Sequence, residues 1–333
     1  MRRLEESTGQ GEPAAGLFSW PRAWIEQDFS SSSEWIVPLA EETRQELKAA
    51  IAHAQRHDVA ASIISRADFP LPSFGSTADD LRRRLRDGVG FVVLRGLDLS
   101  ELTEAEARIA YAGLGSHLGI IVPQNLRGEW LYSVRDEGIR PELEYGRTGV
   151  RFSKSNLAFD FHTDSPSRVA GITPDFIGLF VLRTAKSGGD SVLVNGYALH
   201  NIVRAERPDV LRRLYRPFWV DRRAELAPGE EPVLPVSVFA FDGRLTLRYL
   251  RFYITKGQEW KGEPLSESDL EALEFFEGAM HRPGVAMRIP MQRGDMQWIS
   301  NTALLHSRTG YEDYAEPERK RHYIRLWLVD RAA

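Results

Sequence analysis

The sequence predicts an α+β fold in which a double-sheet jelly roll carries flanking helices. Three observations lead there. Short apolar runs bounded by Gly, Pro and Asp recur along the chain. Helical periodicity is confined to a few segments before and between those runs. No repeat and no linker interrupts residues 41–330, so the strands share one core, and residues 41–333 are expected to form a single domain.

Taken in order, residues 1–16 are rich in Gly, Glu and Pro and lack an apolar h-region, so a disordered lead-in is expected and not a signal peptide. Residues 17–40 carry Trp20, Trp24, Phe29 and Trp35 among Ser and Pro, an extended arm whose aromatics tuck onto the domain. Leu47, Ile51 and Ala54 make Glu41–Arg56 a helix. Another covers Asp79–Asp87, ended by Gly88-Val89-Gly90, and Phe91–Arg95 reads as a buried strand. Thr103 with Glu106 is a capping box opening a helix to about Leu118. Trp130–Arg135 is a strand candidate, and Phe159–Ser165 a strand running into a turn.

Phe176–Arg183 is a continuous apolar run, hence a buried strand. Ser187–Asp190 forms a turn before a strand at Ser191–Asn195. Tyr197–Tyr215 is helical with a break at Pro208. Residues 216–235 hold many Pro, Gly and Glu with little periodicity, the signature of a long loop acting as a lid. Strands follow near Val236–Phe241 and Leu245–Leu250, then an amphipathic helix at Ser266–Met280 with Leu270, Leu273 and Phe276 on one side. Ala286–Ile289, Asp295–Ser300 and His322–Val329 complete the sheets.

Composition narrows the function. The 333 residues carry a net charge of −4, and no segment interleaves basic and aromatic residues, so a nucleic-acid partner is not expected. The absence of cysteine excludes thiolate metal sites, disulfides and cysteine nucleophiles, and fits a reducing cytoplasm. No stretch approaches the ~20 apolar residues of a membrane span, so no membrane partner is expected. An assembly of identical chains is compatible with the sequence.

Chemistry concentrates at Phe159–Ser165. In a strand, side chains two apart share a face, which puts His162 beside Asp164 and turns Phe159 and Phe161 to a core. An imidazole and a carboxylate supply two legs of a facial triad, and His306 is the candidate third, leaving metal positions open. Alone, such a triplet is more often a surface His near a solvated Asp. The closing strand adds a second feature: Arg321, Tyr323 and Arg325 alternate with His322, Ile324 and Leu326. Two arginines on a barrel interior need anions, supplied either by structural carboxylates or by ligands.

His162-x-Asp164, the Lys186-to-Ser191 turn, His306, the closing Arg321 and Arg325 and the Gly90-to-Gly96 strand together resemble the taurine dioxygenase-like (TauD/TfdA) family. The likeness runs in order from about Leu81 to Val329. It implies a clavaminate-synthase-like double-stranded β-helix and a non-haem dioxygenase using Fe(II), 2-oxoglutarate and O2. His162, Asp164 and His306 then take the iron. Ser191 stands where the family places a Thr hydroxyl on the co-substrate carboxylate. Arg321, fifteen positions after His306, matches the arginine on the distal carboxylate of 2-oxoglutarate, a role suited to a planar guanidinium. Arg325 matches a position that in some members holds an anionic group of the substrate.

The implied reaction hydroxylates a small anionic or amino-acid-like molecule and releases succinate and CO2. Desaturation or ring closure in natural-product biosynthesis uses the same ligands. The carboxylate of Asp164 speaks against halogenation, which needs that position empty. Asn125 and Asn156 are further substrate-side candidates. Gln124 and Asn125 face the cavity or cap a turn with equal weight, whereas for Lys154 and Asn156 a solvated loop outweighs a substrate contact, in a stretch from Val150 to Asn156 that departs from the family. Trp298 is expected in the core, His117, His200 and His281 at the surface or boundary, and His322 off the site. A non-catalytic metal- or carboxylate-binding jelly roll has no need of both an intact triad and Arg321. A metal-dependent hydrolase has no use for Arg321 beside Ser191.

Overall fold

The computed structural model describes residues 12–57, 61, 64–139, 152–167, 171–222, 226 and 229–331. The expected disorder of the first residues falls mostly on 1–11, outside this range. Two sheets face one another. The larger has seven strands in the order Ile36–Pro38, Phe91–Arg95, Met296–Ser300, Phe176–Arg183, His322–Val329 and Ile120–Val122, with Leu131–Val134 also pairing with the closing strand. The smaller runs Met287–Ile289, Ser191–Asn195, Leu304–Arg308 and Phe159–His162.

Strand alternation sorts the residues into layers. Outward from the large sheet, Leu94, Phe180, Trp298, Ile324, Leu326 and Leu328 join one core with the helices Glu41–Arg56, Gly75–Arg86 and Glu104–Leu118. Outward from the small sheet, Phe161, Val194 and Leu305 pack on the helices Gly196–Glu206, Pro208–Leu214 and Glu267–Met280. Between the sheets the filling is uneven. At one end Phe91, Val93, Leu193, Ile299 and Leu304 close a dry core against Trp24 and Trp35 of the N-terminal arm. At the other end His162, Ser191, Gln297, His306 and Arg325 face inward among Tyr132, Val181, Tyr323 and Trp327, and the site lies there.

Three local readings are corrected. Residues 216–235 are not one loop: Pro217–Asp221 and Val233–Ser237 pair as an antiparallel hairpin. Buried Phe218 and Val220 face the core from one strand, Val236 and partly buried Leu234 from the other, a pattern the Pro and Glu content obscured. This hairpin lies on an unforeseen helix, Arg251–Lys261, where a Cβ on Gly257 would come within 2.3 Å of the Trp219 carbonyl. His117 and His200 are buried, not at the surface: His117 Nε2 meets the Phe69 carbonyl at 2.8 Å and His200 Nε2 the Tyr215 hydroxyl at 3.1 Å. Among the described residues no helix is long and apolar enough to cross a membrane.

The buried histidines make stability pH-dependent. Burial pushes both His200 and His322 down to about 4. As pH falls, the unfolded chain takes up protons first, near its free value of about 6.5. Folding stability is therefore full above that value and falls as pH drops toward about 4. Thermal melts of the metal-free protein should be flat at neutral pH and fall between roughly pH 6.5 and 4. A midpoint that does not move over that interval contradicts the burial argument.

Candidate active site

His162 ends its strand, so the turn beyond it has to place Asp164. Two pairs of hydrogen bonds do so. Thr163 N donates to the Tyr249 carbonyl at 2.8 Å, and Tyr249 N to Thr163 Oγ1 at 3.0 Å. Asp164 N donates to Asn301 Oδ1 at 2.7 Å, and Asn301 Nδ2 returns to the Asp164 carbonyl at 2.9 Å. Ser165 then turns the chain at a φ of +50°. His306 arrives from the neighbouring strand, in register with His162.

The result is a buried cluster of His162, Asp164 and His306 with one ligand atom from each within 4.8 Å of the others. His162 Nδ1 lies 2.8 Å from the Asp160 carbonyl. That contact requires the proton on Nδ1 and leaves the Nε2 lone pair free, 3.8 Å from Asp164 Oδ1. Burial, with His306 beside it, pushes His162 down to about 3, and burial also lowers His306. Burial opposes charge on Asp164, but Arg325, helped by the Trp327 indole N–H, holds its carboxyl below the usual range. Two neutral imidazoles and one carboxylate facing a common point form a donor set suited to Fe(II), with positions left for co-substrate and O2.

The carboxylate is held from behind. Arg325 Nη1 donates to Asp164 Oδ1 at 2.9 Å, and Trp327 Nε1 to Oδ2 at 2.8 Å. Gln124 fixes the arginine: its Oε1 accepts from Arg325 Nε, and its Nε2 donates to the Arg325 carbonyl, both at 2.8 Å.

Arg321 lies just before the closing strand, ahead of a register shift at His322 and Tyr323. Its side chain is 3% exposed, yet Nε and Nη1 have no hydrogen-bond partner among the described residues. Its guanidinium lies 3.7 Å from the Tyr323 ring centroid and 5.0 Å from that of Tyr311. A Cβ on Gly189 would come within 3.0 Å of Arg321 Nε, so glycine leaves room for the guanidinium at this turn. A buried planar cation with open donors is matched by a carboxylate. Ser191, two residues on from Gly189, donates across the inter-sheet space to Gln297 Oε1 at 2.8 Å.

The substrate-side expectations divide. Arg325 is at the site but on the metal-site carboxylate, which its sequence position did not reveal. Asn125 is corrected to a turn cap: its Oδ1 accepts from Arg127 N and Glu129 N, and its Nδ2 bonds Glu129. Its neighbour Gln124 reaches the site instead. Asn156 accepts through its backbone carbonyl from Tyr311 N. Lys154 belongs to no solvated loop: Nζ lies 3.0 Å from Glu137 and 6.0 Å from the Tyr132 ring, itself 5.1 Å from the Arg325 guanidinium. Val150 and Arg151, in the departing stretch, lie outside the described residues. His322 contacts Arg183 and Ser133, away from the metal cluster.

Sequence reasoning missed Gln297 and Trp327, while Gln124 was weighed with Asn125 as facing the cavity or capping a turn. A signal existed for the two missed residues. Gln297 is a lone amide inside an apolar strand, and Trp327 continues the alternation of Arg321, Tyr323 and Arg325. Nothing local singled out Gln124 over Asn125.

A double-sheet jelly roll with a buried His-Asp-His cluster and an anion-seeking arginine defines a non-haem Fe(II)- and 2-oxoglutarate-dependent dioxygenase. The chain belongs to the family described as "Taurine catabolism dioxygenase TauD, TfdA family", which it matches over residues 50–327. It is 29% identical over 321 residues to FR-33289 synthase of Streptomyces rubellomurinus, covering 95% of this chain and 90% of the relative. It is also 29% identical over 250 residues to uridine-5'-phosphate dioxygenase of an Amycolatopsis species, covering 73% and 88%. The fold is shared with asparagine oxygenase, solved with Fe(II), 2S,3S-3-hydroxyasparagine and succinate. That match has a TM-score of 0.67 at 16% identity and covers 89% of this chain and 94% of the other.

Proposed function

We propose that His162, Asp164 and His306 bind Fe(II), that Arg321 and the Ser191 wall bind the distal carboxylate of 2-oxoglutarate, and that the enzyme hydroxylates a small anionic or amino-acid-like substrate. The observation that carries this is Arg321, a buried guanidinium with two open donors, in the same chain as an intact ligand set. A structural ion pair is the competing use of a buried arginine, and no carboxylate pairs with Arg321 among the described residues.

Bound iron and 2-oxoglutarate supply the oxidising chemistry, consuming O2 and releasing succinate and CO2 as the substrate is hydroxylated. The chain's own residues do the positioning. The Asp160 carbonyl sets the His162 tautomer, while Trp327 and Arg325 fix the plane of the Asp164 carboxylate. The dry layer beside the site keeps water from one side of it. The paired strands Pro217–Asp221 and Val233–Ser237 are the candidate lid. Arg325 and, across the Tyr132 ring, Lys154 border the substrate side, each paired with a carboxylate, Asp164 and Glu137, and a small anionic or amino-acid-like substrate is the reading kept for it. The names of relatives support such a substrate: one acts on uridine 5'-phosphate, and asparagine oxygenase was solved with a hydroxylated amino acid. Desaturation or ring closure is the second reading, favoured by the synthase among the relatives.

The test is a screen of small carboxylates, amino acids and phosphate or phosphonate esters for substrate-stimulated succinate formation with Fe(II) and 2-oxoglutarate. Anaerobic mixing should give the weak visible charge-transfer band of the chelate, and a chelator should remove it. Activity that needs zinc and ignores 2-oxoglutarate would refute the proposal. A product two hydrogens lighter than the substrate, with no oxygen gained, would favour the second reading.

A further inference from the structure

We propose that the side-chain amide of Gln297, not the hydroxyl of Ser191, is the hydrogen-bond donor this wall offers to the distal carboxylate of 2-oxoglutarate, with Ser191 orienting the amide. The inference rests on the placement of that carboxylate beside Arg321.

Gln297 is fully buried on the Met296–Ser300 strand. Its neighbours Met296 and Trp298 enter the helix-covered core, so Gln297 faces between the sheets. It stands opposite Leu179, and Leu179 stands opposite Arg325, so the three form one row across the large sheet. Leu179 is only half-buried although its strand is central, which marks open space above that row. Ser191 faces the row from the small sheet.

Proton counting decides between the two donors. A serine hydroxyl has one proton, and here it is given to Gln297 Oε1 at 2.8 Å. That bond fixes the amide with its oxygen toward Ser191 and its nitrogen turned away. Gln297 Nε2 is buried and has no acceptor among the described residues. It thus shares the condition of Arg321 Nε and Nη1, whose turn at Gly189 lies two residues from Ser191. A carboxylate accepts only, with about four lone-pair sites, and can take donors from an arginine and an amide together. With the amide turned this way, a Ser191 hydroxyl donating to the ligand would leave Gln297 Oε1 without a donor among the described residues and facing an anion.

The experiment titrates 2-oxoglutarate calorimetrically into anaerobic Fe(II)-loaded protein, comparing wild type with Gln297→Met, Ser191→Ala and Arg321→Ala. Gln297→Met should weaken binding about tenfold or more, the size of a charge-assisted hydrogen bond, while Ser191→Ala should cost about threefold or less. A parallel titration uses 2-oxobutyrate, which keeps the chelating end and lacks the distal carboxylate. Wild type and Gln297→Met should bind it equally, a result that general damage to the fold would not give. A tenfold loss in Ser191→Ala with Gln297→Met near wild type would overturn the inference and return the role to Ser191. A loss for 2-oxobutyrate matching that for 2-oxoglutarate would also overturn it. If Arg321→Ala binds 2-oxoglutarate normally, the placement of the carboxylate fails, and this inference falls with it.

Discussion

Replacing Asp164 with alanine is expected to abolish turnover and to destabilise the protein as well. The carboxylate is the only anionic member of the metal cluster, and its oxygens also receive Arg325 and Trp327. Alanine removes a proposed metal ligand and leaves the Arg325 charge buried beside two imidazoles. Breaking a buried pair in this way costs roughly 3–5 kcal/mol. The loss of turnover should exceed the roughly 10–100-fold that removal of a supporting residue costs. Asp164→Asn isolates the charge, since it keeps the shape but cannot pair with Arg325. Asp164→Glu keeps the charge, and the site has to accommodate one methylene more, so partial activity is expected. Iron content, thermal midpoint and succinate release should fall together in Asp164→Ala. Full activity there would remove Asp164 from the metal site.

Arg321→Ala is expected to raise the 2-oxoglutarate requirement whatever the substrate, by roughly 2–5 kcal/mol of binding, as when a buried charge pair loses one partner. It should not lower the stability of the ligand-free protein, because no carboxylate among the described residues depends on it. Arg325→Ala should do the reverse. It strips Asp164 of a cation and Gln124 of its donor, so the fold and the metal site should weaken, with substrate affinity falling further. Lysine should rescue neither position well, since an ammonium cannot reproduce the planar fork. Separate titrations of 2-oxoglutarate and substrate, with melts of the ligand-free variants, distinguish the two arginines. If Arg321→Ala melts far below wild type while 2-oxoglutarate binding holds, Arg321 is a structural ion-pair residue and its assignment is wrong.

The sequence by itself determined the fold class and its inside-out pattern. Alternation along Phe159–His162 and His322–Val329 follows from backbone geometry, so it already separated Phe161 from His162 and Ile324 from Arg325. The order of motifs, with His306 far from His162-x-Asp164, was enough to name the dioxygenase class. Pairing partners are a different kind of information. That Arg325 backs Asp164, that Gln124 and not Asn125 holds it, and that Ser191 spends its proton on Gln297 depend on which strands lie side by side and which sheets face each other. These contacts join residues more than a hundred positions apart. Composition misled where local polarity and burial disagree. The Pro- and Glu-rich strands find partners in each other, and the buried His117 and His200 in the Phe69 carbonyl and the Tyr215 hydroxyl, each supplied by another element. A buried polar group survives only if some other part of the fold satisfies it, and only the tertiary structure decides which part that is.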